Sequence, residues 1–387
     1  MEYNRLIEVA ELFDSLHQTP QYISSGYPMI RVADVSAGNL QLEMCLKVSF
    51  DDYQKYTAKH TPKIGDIVIS RVGTYGIFAY VNTKKKFCLG QNTAIISPKI
   101  NSKYLYYCLS SSIVKEQINS LVVGSTQKTI SLKNIKALNI PRYGEQNETK
   151  IASILSVIDE KREINKRINE NLLQQARALF HQWVTGTLPA LLKLSDVADI
   201  NPETYSSKDN WSFVNYLDTS SITAGTISEV QYILPSEEKL PSRARRILRK
   251  GDVVFSTVRP NQLHYGIIAN PKPNMLGSTG FAVIRSKLTA LPNEIIFLAL
   301  TEPDFVEHMQ QLAEQSVSTF PSIRPTDLDA CLLPEPREDD GDFIEAIKTI
   351  FNTVATNDEE NQRLAALRDT LLPRLMSGEL DVSDLDL

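Results

Sequence analysis

The sequence contains few of the residues and patterns that mark secretion, metal binding or a membrane span. Its 387 residues include four cysteines and five histidines. Cys45, Cys88, Cys108 and Cys331 form no CxxC pair and have no metal-like spacing with the histidines. We therefore expect reduced, mostly buried thiols in a cytoplasmic protein without a bound metal. No run of 18 apolar residues predicts a transmembrane helix, and the first residues do not resemble a signal peptide.

Sequence signatures of catalysis are also absent. The chain has no GxxxxGK[ST] phosphate loop, no strand–GxGxxG–helix unit, no HExxH and no GxSxG. It lacks the Asn-Pro-Pro-aromatic or Asp-Pro-Pro-aromatic tetrapeptide of amino-methyltransferases, and no two histidines lie within four residues of each other. We expect a chain that is not an enzyme and binds no cofactor itself. A self-contained nuclease or methyltransferase is therefore disfavoured.

The composition is that of an ordinary soluble protein, but the charge is unevenly distributed. Lys plus Arg is 41 and Asp plus Glu is 46, which gives a formal net charge of −5. Residues 1–144 carry a net charge of +7, residues 145–187 carry 0, residues 188–337 carry −3 and residues 338–387 carry −9. Within the third segment, residues 188–287 carry +3. The overall negative charge therefore does not exclude a nucleic-acid partner.

The chain is an imperfect tandem repeat of a unit of about 190 residues. Six segments recur in the same order at offsets between 184 and 193. They are RLIEVAEL (5–12) with KLSDVADI (193–200), YPMIRVADVS (27–36) with WSFVNYLDTS (211–220), GDIVISRV (65–72) with GDVVFSTV (251–258), YGI (75–77) with YGI (265–267), AIISPK (94–99) with AVIRSK (282–287), and STQKTISLKNIKALNIP (125–141) with STFPSIRPTDLDACLLP (318–334).

Each copy divides into a strand-rich part and a long helix. Short β-branched stretches such as DIVIS and DVVFS, bounded by turn residues, predict strands of a mixed or antiparallel sheet with some helices. A segment free of Pro and Gly follows in each copy, from residue 145 to 185 and from 342 to 372. We predict an α+β fold with domains at 1–144 and 188–337, long helices at 145–187 and 338–378, and a tail at 379–387. Asp342 and Glu345 resemble a capping box that starts the second helix.

The two long helices share a heptad pattern that favours an antiparallel coiled-coil pair. At alternating steps of four and three residues, seven of ten positions in each helix are apolar. Each helix carries two asparagines on this pattern, and the two sets coincide at an offset of 192. They are predicted to face each other, with the two domains related by a pseudo-twofold axis. The alternative is that each helix packs only on its own domain. The predicted seam is Ile151, Leu155, Ile158, Asn165, Asn169, Leu172 and Leu179 with Phe343, Ile347, Ile350, Asn357, Asn361, Leu364 and Leu371.

Together these features resemble the specificity subunit of Type I restriction–modification systems, a prokaryotic defence. The most similar segments are GDIVISRVGTYG, STQKTISLKNIKALNIP, NETKIASILSVIDEKREINKRINENL, QARALFHQWVTGTL and LRDTLLPRLMSGEL. The resemblance implies two target recognition domains, each reading one half of a split, asymmetric site in double-stranded DNA. It implies that the helices set the spacing and dock two modification subunits, which bind S-adenosylmethionine. Restriction subunits with ATP and Mg join where present.

Candidate DNA contacts follow from side-chain chemistry and from matching positions in the two copies. Planar amide and guanidinium groups suit base edges, and basic clusters suit phosphates. The base-reading candidates are Arg71, Thr74, Tyr75, Gln91, Asn92, Gln127 and Lys128 in copy one, and Thr257, Arg259, Asn261, Gln262, His264, Thr279 and Arg324 in copy two. The phosphate candidates are Lys84, Lys85, Lys86, Arg243, Arg245 and Arg246. The alternative function is a coiled-coil scaffold or anti-restriction decoy that binds the modification subunit without reading DNA.

Overall fold

The computed structural model describes residues 2–122, 128–185, 190–206, 208–316 and 320–385, and it divides into two compact units. Unit 1 comprises Met1–Glu163 and Asn361–Leu387, and unit 2 comprises Ile164–Glu360. This division cuts both long helices midway. It does not test the predicted domain boundaries at residues 144, 187, 337 and 378, which stay predictions.

Unit 1 is a mixed domain of short strands and helices. Its strands are β1 (Glu2–Arg5), β2 (Ala10–Asp14), β3 (Tyr27–Ile30), β4 (Gly38–Asn39), β5 (Lys47–Val48), β6 (Ile67–Ser70), β7 (Phe78–Tyr80), β8 (Cys88–Leu89), β9 (Thr93–Pro98) and β10 (Asn139–Arg142). Its helices are α1 (Leu6–Val9), α2 (Phe50–Thr57), α3 (Ser102–Ser110), α4 (Ser112–Leu121) and α5 (Leu132–Lys136), followed by the first part of α6 (Glu145–Thr185).

The central sheet of unit 1 has the strand order β2-β9-β6-β7-β4. Strand β6 is buried at all four residues, which explains its continuous apolar sequence, because both faces of the sheet are covered. Helix α3 packs on one face through Tyr104, Leu105 and Leu109. A second sheet, β5-β3-β8, and the antiparallel pair β1-β10 complete the unit.

Unit 2 repeats this architecture. Its strands are β11 (Leu191–Lys193), β12 (Ala198–Ile200), β13 (Val214–Leu217), β14 (Ile222–Thr223), β15 (Thr226–Ile227), β16 (Gln231–Ile233), β17 (Ala244–Ile247), β18 (Val253–Ser256), β19 (Tyr265–Ile267), β20 (Met275–Ser278), β21 (Phe281–Ser286) and β22 (Leu332–Pro334). Its helices are the second part of α6, α7 (Leu194–Val197), α8 (Asn293–Leu300), α9 (Pro303–Glu314) and the first part of α10 (Gly341–Met376). The central sheet has the order β12-β21-β18-β19.

Equivalent hydrogen bonds establish the repeat in three dimensions. In unit 1 strand β6 pairs antiparallel with β9, and Ile69 lies opposite Ala94. In unit 2 strand β18 pairs with β21 in the same register, and Phe255 lies opposite Ala282. Four of the six predicted pairings match residues in the same structural positions. These are the segments that start at residues 5, 65, 94 and 125, compared over their described residues.

Two of the six predicted pairings are wrong by three positions. Ile30 pairs with Leu89 just as Leu217 pairs with Gly277, so that offset is 187 rather than 184. Strand β7 takes the place of β19, so the counterpart of Tyr265-Gly266-Ile267 is Phe78-Ala79-Tyr80 and not 75–77. Short apolar stretches look alike when they slide along the chain, whereas strand pairing fixes the register.

The long helices run antiparallel within each unit, as predicted. In unit 1 the Tyr143 hydroxyl, just before α6, donates to the Met376 carbonyl at 2.9 Å, and Asp159 pairs with Arg368 at 3.2 Å. Residue numbers therefore rise along α6 as they fall along α10. Among the predicted seam residues, Ile151, Leu155, Ile158, Asn165, Asn169 and Ile347 are buried, and Leu172, Leu179, Phe343, Ile350, Asn357, Asn361, Leu364 and Leu371 are half-buried.

In unit 2 two asparagines of the helix pair meet directly. Asn357 Nδ2 donates to Asn169 Oδ1 at 2.7 Å, and Asn169 Nδ2 donates to Asp358 Oδ1 at 2.8 Å. Asn165 Nδ2 donates to Glu360 Oε2 at 2.6 Å. A polar layer of this kind penalises a shift of one helix against the other, because a shift would bury unpaired amides.

The start of α10 differs from the prediction. The helix begins at Gly341 and follows a 3-10 turn at Glu338–Asp340, so Asp342 is already helical and cannot act as its cap. A capping box is found instead at the preceding 3-10 turn, where Asp340 accepts the Arg337 N–H at 2.8 Å and the Arg337 guanidinium at 2.7 Å. In the residues described, no helix is both long and apolar enough to cross a membrane.

Candidate nucleic-acid interface

In unit 1 three segments meet where β6 ends. The Arg71 N–H donates to the Asn92 carbonyl at 2.9 Å, and the Ile130 N–H donates to the Arg71 carbonyl at 3.0 Å. The Gly73 N–H donates to the Lys128 carbonyl at 3.0 Å. We call residues 71–77, 90–93 and 128–130 the loop end of unit 1. It gathers the base-reading candidates Arg71, Thr74, Tyr75, Gln91, Asn92 and Lys128, whereas Gln127 lies outside the described residues.

These candidates differ in how freely their side chains face solvent. Thr74 and Lys128 are exposed. Arg71 is only 9% exposed, since its guanidinium pairs with Asp14. Its role as a base reader stays a prediction, and it requires release of that ion pair. The Gln91 amide lies within hydrogen-bond distance of the Gln18 N–H, at 3.0 Å.

Unit 2 builds an equivalent loop end where β18 ends. The Thr257 N–H donates to the Gly280 carbonyl at 2.8 Å, and the Ile323 N–H donates to the Thr257 carbonyl at 2.9 Å. The Arg259 N–H donates to the Pro321 carbonyl at 3.0 Å. We call residues 257–264, 278–280 and 320–324 the loop end of unit 2. It gathers all seven predicted base-reading candidates of copy two: Thr257, Arg259, Asn261, Gln262, His264, Thr279 and Arg324.

Most of these side chains are exposed. Thr257 is buried, with 8% exposure, and its hydroxyl donates to the Gly280 carbonyl. His264 is half-buried, with Nδ1 2.6 Å from the Ile222 carbonyl oxygen. Arg324 is exposed and pairs with Asp327 at 3.2 Å. The loop end of unit 2 thus presents mainly arginine, amide and threonine groups, which suit base edges.

The phosphate candidates are split between the two ends of the strands. Arg243 lies at the loop end of unit 2, where its carbonyl accepts the Thr279 N–H at 2.8 Å. Lys84, Lys85 and Lys86 follow β7 and lie at the opposite end of unit 1 from the loop end, with Lys85 paired to Glu43 at 3.3 Å.

The two further phosphate candidates, Arg245 and Arg246, lie on strand β17. Arg245 donates to the Tyr205 carbonyl at 3.4 Å. Arg246 is half-buried, its Nε has no hydrogen-bond partner among the described residues, and burial lowers the pKa of its guanidinium. The phosphate role of these two residues stays a prediction.

Two carboxamides on helices hold the loop ends, and the sequence reasoning missed both. In unit 1 the Tyr75 hydroxyl donates to Asn119 Oδ1 on α4 at 3.3 Å. In unit 2 the Asn261 N–H donates to Gln310 Oε1 on α9 at 3.3 Å. Each carboxamide directly follows a buried apolar helix residue, Ile118 or Met309. That shared pattern in the two copies is the signal that could have identified them.

A buried aspartate fixes the turn before each central strand. Asp252 is fully buried, and Arg285 donates to its two oxygens at 2.7 and 2.9 Å. Arg285 and Arg249 both also bind Glu203, and these two guanidinium groups lower the Glu203 pKa to about 2. In unit 1 the equivalent Asp66 contacts His60 Nε2 at 2.6 Å instead.

Known proteins share both the sequence and the fold. Residues 3–174 match the model of the Type I restriction modification DNA specificity domain. The chain is 23% identical over 344 residues to the Type I restriction enzyme MjaIX specificity subunit of Methanocaldococcus jannaschii, covering 83% of this chain and 79% of that protein. The chain is thus similar in sequence to Type I specificity subunits. Specificity subunits are non-catalytic members of their systems, which agrees with the absence of catalytic motifs from the sequence.

Two further matches are a sequence match over part of the chain and a structural match over nearly all of it. The Type I restriction enzyme HindI specificity subunit of Haemophilus influenzae is 28% identical over 133 residues, which cover 34% of this chain and 29% of that protein. The crystal structure of the Type I restriction–modification S subunit from M. genitalium superimposes with a TM-score of 0.59 at 15% identity, covering 97% of this chain and 95% of that one. The predicted α+β fold with long helices is therefore confirmed. The loop end of unit 1 lies wholly inside the family match.

Proposed function

We propose that this chain is a Type I specificity subunit and that it recognises a split, asymmetric DNA sequence, with each loop end reading one half. The observation that supports this proposal is that both units build the same loop end from equivalent backbone hydrogen bonds while displaying different side chains. Gly73 and Arg259 donate the same hydrogen bond, as do Arg71 and Thr257. Two scaffolds of one shape with different side chains suit two different half-sites rather than a palindrome.

The exposed side chains at the loop ends supply suitable chemistry for reading bases. Arginine and amide groups make bidentate contacts to guanine and adenine edges in the major groove. Arg259, Asn261, Gln262 and Arg324 provide these groups in unit 2, and all four are exposed. Lys128 and Arg243 add positive charge to the two loop ends, which favours contact with the phosphate backbone.

We also propose that the long helices set the distance between the half-sites and dock two modification subunits. Within unit 2, α6 exposes two apolar side chains, Ile164 at 52% and Ile168 at 42%, away from the α10 seam. These two residues lie about one helical turn apart, and neighbouring exposed apolar side chains support a contact surface for another chain at this position. In this proposal S-adenosylmethionine, and ATP with Mg where a restriction subunit is present, bind the partner subunits.

Sequencing of DNA methylation tests the proposal. The chain is expressed with its modification subunits in a methylation-free host, and modified adenines are mapped genome-wide. We expect one bipartite motif with two different halves and a fixed spacer. If methylation appears without any sequence preference, or if DNA binding by the purified complex shows none over competitor DNA, the scaffold or decoy function is correct instead.

A further inference from the structure

Two residues of the loop end of unit 2 have a backbone conformation that side chains normally avoid. Arg259 has φ +47° and Leu263 has φ +57°, and they flank the 3-10 turn Pro260–Gln262. The left-handed region is uncommon for residues other than Gly, Asn and Asp, because Cβ crowds the backbone. Both residues are therefore strained.

The repeat shows that the fold, and not these side chains, demands this backbone. Gly73 takes the place of Arg259, because their N–H groups bond equivalent carbonyls of Lys128 and Pro321. Gly76 takes the place of Leu263, and the two glycines have φ +71° and +69°. Copy one thus forms the loop without strain, since glycine adopts this conformation freely. Copy two keeps an arginine there, and strain retained at a binding surface indicates a function for the side chain.

The Arg259 guanidinium is exposed and held in place. Its Cζ lies 5.5 Å from the centre of the Phe320 ring, within the range of a cation–π contact. No carboxylate of the described residues forms an ion pair with it, in contrast to Arg71 with Asp14 and Arg324 with Asp327. Hydrogen bonds of the loop at Arg259 and Asn261 keep the backbone fixed. Its five N–H donors therefore remain available to a ligand.

We propose that Arg259 reads a guanine of the half-site bound by unit 2, by donating to O6 and N7 in the major groove. This inference rests on the proposed function and names the base class for one residue of that site. A guanidinium fixed by a strained backbone and an aromatic ring loses little freedom on binding, so its contact favours specificity. Gly73 has no side chain, so unit 1 lacks an equivalent contact.

The test compares methylation motifs of the wild-type complex with those of Arg259→Ala and Arg259→Lys. We expect both variants to accept other bases at one guanine position, with discrimination reduced about 10- to 100-fold, because lysine cannot form the bidentate contact. Every other position of both half-sites should stay unchanged. Lys272→Ala is the matched control, since it removes one exposed positive charge from unit 2 at the strand ends opposite the loop end.

Two further variants separate reading from folding. Arg259→Gly should lose the guanine preference to the same degree while its melting temperature stays equal or rises by roughly 2–4 °C as the strain is relieved. Phe320→Leu should weaken the preference partially. If the wild-type motif is found and Arg259→Gly folds but retains every base preference, the inference is wrong while the proposed function stands. If wild-type methylation has no motif, the proposed function itself fails.

Discussion

The two copies of the repeat share a backbone but stabilise it by different side chains. At the loop ends, glycines in copy one correspond to Arg259 and Leu263 in copy two. At the start of the central strands, Asp66 contacts a histidine, whereas Asp252 contacts an arginine. The two copies therefore share the hydrogen-bonded backbone frame. They differ in the side chains that this frame displays and in the side chains that stabilise it. In the proposed function, this division would allow one fold to carry two sequence preferences.

The largest expected effect concerns the buried aspartate of unit 2. Arg285→Ala leaves Asp252 fully buried without its bidentate partner, and we expect a loss of about 3 kcal/mol in the free energy of unfolding. Arg249→Ala is the control, because its side chain is 61% exposed, and it should cost less than about 1 kcal/mol. Urea unfolding followed by tryptophan fluorescence reports unit 2, since both tryptophans, Trp183 and Trp211, lie in it. Equal unfolding midpoints for the two variants would contradict the assignment.

A smaller effect is expected where copy one ties its loop to the sheet. Arg71→Thr, which introduces the residue of copy two, removes the pair with Asp14 and the contact of Nε with the Ile130 carbonyl at 3.5 Å. We expect a loss of about 2 kcal/mol in unit 1, because the pair is largely buried. Amide hydrogen exchange should quicken at Ile130 and leave unit 2 unchanged. Unchanged exchange at Ile130 argues that the pair does not hold the loop.

The stability of unit 2 should also depend on acid. The Glu203 pKa is lowered from about 4.5 to about 2, so folding favours the charged carboxylate. The stabilisation is complete above pH 4.5 and is lost as the pH falls towards 2. After allowance for solvent screening we expect about 1 kcal/mol. Glu203→Gln should flatten this dependence in tryptophan-monitored melting, and Glu335→Gln, at another exposed position, should not.

The smallest effects are opposite in sign and compare the loops directly. Gly73→Ala should destabilise unit 1 by roughly 1 kcal/mol through its φ of +71°, since a Cβ there meets no other atoms. Arg259→Gly should stabilise unit 2 by up to about 1 kcal/mol for the same reason. Thermal melting of the two variants provides the measurement. The same sign for both changes would show that the two loops are not equivalent.

Sequence patterns predicted the features that depend on local periodicity. The two long helices and their antiparallel pairing follow from segments free of Pro and Gly, a heptad pattern and coincident asparagines. The strands β6 and β18 follow from β-branched stretches bounded by turn residues. The repeat was visible because residues such as Gly65-Asp66 and Gly251-Asp252 hold the same turn in each copy. The register failed by three positions in two segments, where only pairing with distant strands determines the alignment.

Contacts between distant residues could not be predicted. Nothing near Arg71 in the sequence indicates Asp14, which is 57 residues away, so a buried arginine was expected to read bases. The backbone conformation of Arg259 was likewise hidden, because arginine gives no local signal for a positive φ. Only the structural match to Gly73 reveals it. Such features can be identified only from the tertiary structure, because the residue type alone does not determine them.

Unit 1 is built from two separate parts of the sequence, and this has a consequence for synthesis of the chain. Its core includes Leu375, Met376 and Val382, the last of which is only 4% exposed in the segment predicted as a tail. Unit 2 is one continuous stretch that ends at Glu360. The ribosome therefore completes unit 2 before unit 1, although unit 1 includes the residues that are made first. The core of unit 1 can be completed only after residues 375–382 have emerged, so a chain truncated before them should lose packing in the unit whose synthesis began first.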